Sequence, residues 1–155
     1  MTAVMVGDQT MFILGERSKS RLSGVQSPLR RVVELAIELT VVDFAVIEGL
    51  RTLERQQALY AQGRTTPGKV VTWTMNSRHL DGAAVDLAPV DTSGRILWED
   101  IAAFDQIAKA MFAAADELGV SIRWGADWDQ DGKPRERGEG DSPHFELTYD
   151  AAEQA

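Results

Sequence analysis

The chain contains two histidines, and both stand near carboxylates. His79 lies in SRHLDGAAVD, with Asp86 seven residues on and Gly82, Ala83 and Ala84 between them. His144 lies in DSPHFEL, three residues after Asp141. The sequence has no cysteine, so a metal would have to be held by His, Asp or Glu. A catalytic zinc takes three protein ligands and keeps a fourth position open. His79, Asp86 and His144 supply that set. Asp141 would reach water at such a metal without binding it, acting first as general base and then as acid to a leaving amine. One His beside one Asp is common and carries little weight. The whole of Ser77-x-His79-x-x-Gly82-x-Ala84-x-Asp86, with a distant Asp141-x-x-His144, carries more.

These residues need a scaffold. Ser27-Pro28 has the form of a helix start, with Ser27 as N-cap and Pro at the first helical position. Leu29, Val32, Val33, Ala36 and Ile37 then repeat at helical spacing. A shorter helix is expected over Arg17–Leu22, and another over Leu53–Gln62 ending at Gly63. Asp100 caps the longest predicted helix, whose stripe is Ile101, Phe104, Ala108, Met111, Phe112, Ala115 and Leu118, with Gly119 as the C-terminal cap. Strands are expected at 44–48 (FAVIE), 84–88, 121–124 (SIRW) and 144–149 (HFELTY). Residues 125–142 read as loop. Helices and strands mix without regular β-α-β alternation, which favours an α+β fold with helices on a small, mainly antiparallel sheet. Length, and the absence of repeats or linkers, predict one domain over residues 1–155.

Ser77, His79, Gly82, Ala84 and Asp86 match a signature of the zinc peptidases related to D-alanyl-D-alanine carboxypeptidases and the hedgehog fold. Asp141-Ser-Pro-His144-Phe-Glu-Leu resembles the closing motif of the bacteriophage branch, the L-alanyl-D-glutamate peptidase endolysins. The LGERSKSRLSGV, VDFAVIEGLRTLERQ and RWGADWD stretches are also similar to that branch, so the resemblance runs from about Leu14 to Leu147. It implies zinc on His79, Asp86 and His144, with Asp141 as acid/base. It also implies a place for Arg51 in the cleft, holding substrate or stabilising the developing oxyanion. A structural ion pair is the equal alternative for Arg51. Gln56 would line the same cleft.

Residues 1–79 carry ten Lys/Arg against seven Asp/Glu, and residues 80–155 carry six against seventeen. That acidic half argues against nucleic acid, whose phosphates need a basic face. Asp127, Asp129 and Asp131 with Gly132 spell the start of a calcium loop, but Gly138 stands at its twelfth position, where an EF-hand has glutamate. Calcium-responsive endolysins of this kind are known, so the resemblance allows Ca2+ as a regulator; the plainer reading is a solvated acidic turn. Trp73 and Trp128 are candidates to flank the cleft, with packing the commoner role for tryptophan. Ser77 and Glu146 are candidates to orient ligands, and Arg78 to meet a substrate carboxylate.

The expected function is therefore a zinc endolysin that cuts the L-Ala–D-Glu bond of peptidoglycan stem peptides and causes host lysis. It would be a monomer without a wall-binding domain. No apolar run is long enough for a membrane span, and the N-terminus lacks the form of a signal peptide. The resemblance implies synthesis in the host cytoplasm and release to the wall through a holin lesion. Two alternatives stay open: a D-alanyl-D-alanine carboxypeptidase or dipeptidase, disfavoured by Asp141 where those enzymes carry glutamate, and a metal-stabilised wall-binding module that does not cut.

Overall fold

The computed structural model describes residues 3–6, 9–70, 78–136 and 140–148. Two short strands, β1 (Ala3–Val6) and β2 (Gln9–Phe12), pair as an antiparallel hairpin. This hairpin was not expected from the sequence, where the N-terminus reads only as mildly apolar. Helices α1 (Glu16–Leu22) and α2 (Ser27–Leu39) follow, then β3 (Phe44–Glu48) and α3 (Leu53–Ala61). A single 3-10 turn at Arg78–Asp81 leads into β4 (Ala84–Pro89). The long helix α4 (Ile101–Leu118), β5 (Ile122–Trp124) and β6 (His144–Leu147) complete the chain.

The main sheet is antiparallel throughout, in the order β3-β4-β6-β5. One face packs on α4, and α2 packs on α4 within the same buried core. Val46, Val85, Leu87, Phe145 and Leu147 share one core with Leu29, Val32, Val33, Ile107 and Met111, and all ten are fully buried. Each such side chain contributes about 1.5–3 kcal/mol by leaving water. Strand side chains alternate between faces. Residues one position off this apolar set therefore share the opposite face.

Two expectations need correction. Ser27 lies inside α2; the cap position is Gln26, which makes no side-chain capping bond. The buried face of α4 is rotated from the expected stripe: Ile101, Phe112 and Leu118 are exposed, while Phe104, Ala108, Met111 and Ala115 are buried as expected. Ile107 and alanines 103, 110 and 114 take the buried face in their place, the small alanines letting α4 lie close to its neighbours. Asp100 does cap α4, accepting a hydrogen bond from the Ala103 N–H, and Gly119 closes it in the left-handed conformation at φ 68°.

Candidate metal centre

Cross-strand register places the candidate residues in two neighbouring rows. Glu48 is opposite Asp86, and Asp86 is opposite His144; next to them Glu146 is opposite both Ala84 and Arg123. A register shift between Val46 and Glu48 turns Glu48 to the side of Asp86, so that Glu48, Asp86, His144, Glu146 and Arg123 share the face turned away from the core. The 3-10 turn brings His79 over this face, and its register depends on Gly82. That glycine has φ +69°, and a Cβ there would stand 2.5 Å from the Gly24 carbonyl oxygen.

His79, Asp86 and His144 converge, with ligand atoms within 4.8 Å of one another. Asp86 Oδ1 lies 3.3 Å from His79 Nε2 and 3.4 Å from His144 Nδ1. Asp86 Oδ1 is buried, yet neither approach has hydrogen-bond geometry. Atoms held about 2.0–2.1 Å from one tetrahedral ion stand roughly 3.3 Å apart, so the spacing suits a shared metal. The far side of each imidazole is fixed as well. His79 Nδ1 is 2.9 Å from the Gly49 carbonyl, and His144 Nε2 is 2.8 Å from Glu146 Oε1. Each of these nitrogens donates its proton outward, leaving His79 Nε2 and His144 Nδ1 as the inward lone pairs. The donor set therefore fits a divalent metal.

Electrostatics follow from this packing. Burial disfavours the charge on Asp86, but His144 and His79 hold its carboxyl far below the ordinary range. Burial alone would lower the pKa of His144; the carboxylates of Asp86 and Glu146 override it and push it up to about 10 in the metal-free protein. Glu146 is lowered despite its burial, by His144 and Arg123.

Asp141 stands at the open edge, 4.0 Å from His144 Nδ1 with its side chain 65% exposed. The protein around it still makes ionisation costlier than in water, and its pKa is raised. Gly125 fixes this turn. A Cβ there would come 2.4 Å from the Asp141 carbonyl oxygen and 3.0 Å from His144 Cβ, and its N–H donates to the His144 carbonyl at 2.7 Å.

Arg51 is buried in a fork. Its Nε and Nη2 donate to the two carboxylate oxygens of Glu48 at 2.9 and 2.7 Å, and its Nη1 donates to Gln56 Oε1 at 2.6 Å. Nη2 also lies 3.9 Å from Asp86 Oδ2. Arg51 and Gln56 thus border the cluster as one unit, with Glu48 as the ion-pair partner. A cleft of about 460 Å³, lined by residues including Arg21, Gly24, Glu48, Gly49 and Arg55, opens on this side. On the other side Arg78 Nε is 3.9 Å and Arg123 Nη2 3.1 Å from Glu146 Oε2. Arg123 sits 4.2 Å from the centroid of the Trp128 ring, which is 6.2 Å from the His144 ring. Ser77 and Trp73 lie outside the described residues. Asp127, Asp129 and Asp131 also converge within 4.8 Å, but on the exposed loop, where Asp127 accepts from the N–H groups of Asp131 and Gly132.

Glu48, Arg123, Gly125 and the Gly49 carbonyl were missed by sequence reasoning. A charged residue ending the apolar FAVIE strand was the one signal available for Glu48.

This architecture defines the class: it is the fold of the vancomycin-resistance D,D-dipeptidase VanXYg, with a TM-score of 0.50 at 20% identity over 79% of this chain and 50% of that one. The Serratia marcescens L-Ala D-Glu endopeptidase ChiX is more similar, with a TM-score of 0.71 and 35% identity over 92% of this chain and 95% of that one. A model of the phage L-alanyl-D-glutamate peptidase family matches residues 10–148, and the chain belongs to that family. It is 35% identical over 142 residues to the L-alanyl-D-glutamate peptidase of Escherichia phage T5, covering 88% of this chain and 98% of that one. It is 33% identical over 91 residues to the peptidoglycan L-alanyl-D-glutamate endopeptidase CwlK of Bacillus subtilis, 56% of this chain and 54% of that one.

Proposed function

We propose that this chain is a zinc-dependent endolysin that hydrolyses the L-Ala–D-Glu bond of peptidoglycan stem peptides. The observation that carries the reading is the His79–Asp86–His144 cluster with Asp141 at its open edge, in a chain belonging to the phage L-alanyl-D-glutamate peptidase family. Zinc bound by the three residues supplies Lewis acidity, polarising the scissile carbonyl and acidifying water. Asp141 takes a proton from the attacking water as its oxygen bonds to the L-Ala carbonyl carbon. When the C–N bond breaks, Asp141 returns that proton to the D-Glu nitrogen. Its raised pKa suits both halves of this exchange. Glu146 and the Gly49 carbonyl hold the two imidazoles in the metal-binding tautomer. Arg51, pinned by Glu48 and Gln56, is assigned to substrate holding or oxyanion stabilisation from the rim of the cluster.

The same reading makes residues 14–149 one peptidase domain, acting on the wall after synthesis in a host cytoplasm and holin release. Among the described residues no helix is long and apolar enough to cross a membrane. Ca2+ is proposed as a regulator bound by Asp127, Asp129 and Asp131, supported by their convergent carboxylates.

Mass spectrometry of muropeptides from sacculi treated with zinc-loaded protein, at several calcium levels, tests the cleavage and its calcium dependence. New peptides beginning at D-Glu, with L-Ala left on muramic acid, are expected, and their yield should rise with calcium. Release of terminal D-Ala instead would make the protein a carboxypeptidase. No cleavage at any calcium level, with zinc bound, would leave a wall-binding module.

A further inference from the structure

Glu146 is one buried carboxylate facing two guanidiniums, Arg78 at 3.9 Å and Arg123 at 3.1 Å, besides His144. The two arginines therefore leave a local positive surplus. Arg123 and Glu146 come from the half of the sequence where six Lys/Arg stand against seventeen Asp/Glu, and Arg78 from the other half. A positive surplus beside the cluster attracts an anionic group of the substrate. Arg123 is the better placed of the two. Its guanidinium rests on the Trp128 face at 4.2 Å, its side chain is 28% exposed, and Trp128 is 44% exposed and neighbours His144. A planar guanidinium held on an indole and pinned through Nη2 is pre-organised, and although its Nε is buried, the side chain stays partly exposed to meet a carboxylate. Arg51 lacks that freedom, because Glu48 and Gln56 already engage Nε, Nη1 and Nη2.

A D-glutamyl residue has two carboxyl groups and uses one for the next bond in the chain. The other remains an anion close to the scissile nitrogen. We propose that Arg123, supported by Trp128, binds this free carboxylate and makes the enzyme selective for the acidic form of the stem peptide. The inference rests on the proposed L-Ala–D-Glu cleavage.

The test compares two synthetic stem peptides, one with the free D-Glu carboxyl and one with that carboxyl as its primary amide, using zinc-loaded protein. Wild type should cut the acid with kcat/KM about 10- to 100-fold above the amide, the size expected of a charge-assisted contact. Arg123→Gln should bring the two within about threefold, with the loss in KM on the acid and little change on the amide. An intact acid preference in Arg123→Gln, or no preference in wild type, would overturn the assignment. An equal loss on both peptides would also overturn it, showing that Arg123 acts only through Glu146. Should Arg123→Gln not fold, Arg123→Lys decides: it keeps the charge without the fork, and an unchanged preference overturns the proposal. Wild type that cuts neither peptide fails earlier, at the proposed activity itself.

Discussion

Among the described residues two triads of potential ligands are alike in spacing and opposite in construction. Both bring three ligand atoms within 4.8 Å. His79, Asp86 and His144 come from a 3-10 turn and two paired strands, and their outward nitrogens are satisfied by Gly49 and Glu146. Asp127, Asp129 and Asp131 come from one exposed loop, and Asp127 spends its oxygens on the loop's own N–H groups. Proximity alone does not separate a ligand set from a turn. The buried triad is distinguished by the partners behind its histidines, which hold their lone pairs inward.

The contrast is broken most directly by Asp86→Ala. Stoichiometric zinc, read by elemental analysis, and peptidase activity should both disappear. Retained zinc would mean that the three residues are not the ligand set. Asp141→Asn should lower kcat about 10²- to 10⁴-fold while zinc content stays at one per chain, since it removes acid–base chemistry and no ligand. Loss of zinc in that variant would move Asp141 into the ligand set. Glu146→Gln sharpens the comparison by removing a partner behind a ligand. Zinc affinity, measured by competition with a chelator, should weaken about 10- to 100-fold.

Acidity gives a smaller, graded effect. In the metal-free protein His144 is raised from 6.5 to about 10, so its stabilising charge is fully present below pH 6.5 and is lost as pH rises through about 10. Asp86 is lowered, so its contribution is present above its ordinary value of 3.8 and fades as pH falls below it. The Tm of metal-free protein should fall between pH 7 and 10. Zinc requires neutral His144, so zinc binding should release protons and tighten over that range. A flat Tm would remove the charged His144 from the account. The smallest effect belongs to the loop: Asp129→Asn should leave zinc affinity unchanged and stability within about 0.5 kcal/mol without calcium.

Much of this was legible because it is local. His79, Asp86 and His144 stand in short signatures, and α2, β3 and both caps of α4 follow from spacing and cap chemistry. What escaped depends on sheet order. Nothing near Arg123 in the sequence announces Glu146 across the β5–β6 pair, and nothing near Glu48 announces Asp86 across β3–β4. Gly125 was unreadable for a related reason: its necessity comes from the Asp141 backbone crossing above it. The α4 stripe was misplaced because the helix turns its alanine side to the core: Ala103, Ala110 and Ala114 are buried with Ile107, and the bulkier Ile101, Phe112 and Leu118 are left outside.

Strand order has a last consequence, for how the chain is held shut. β4 and β6 are neighbours although the ligands they carry lie far apart in sequence, and His79 and His144 are separated by 65 positions. A metal gripping all three would tie off that long segment as a crosslink does, opposing unfolding through the entropy of the open chain. In a protein without cysteine such a clasp works equally in reducing and oxidising surroundings.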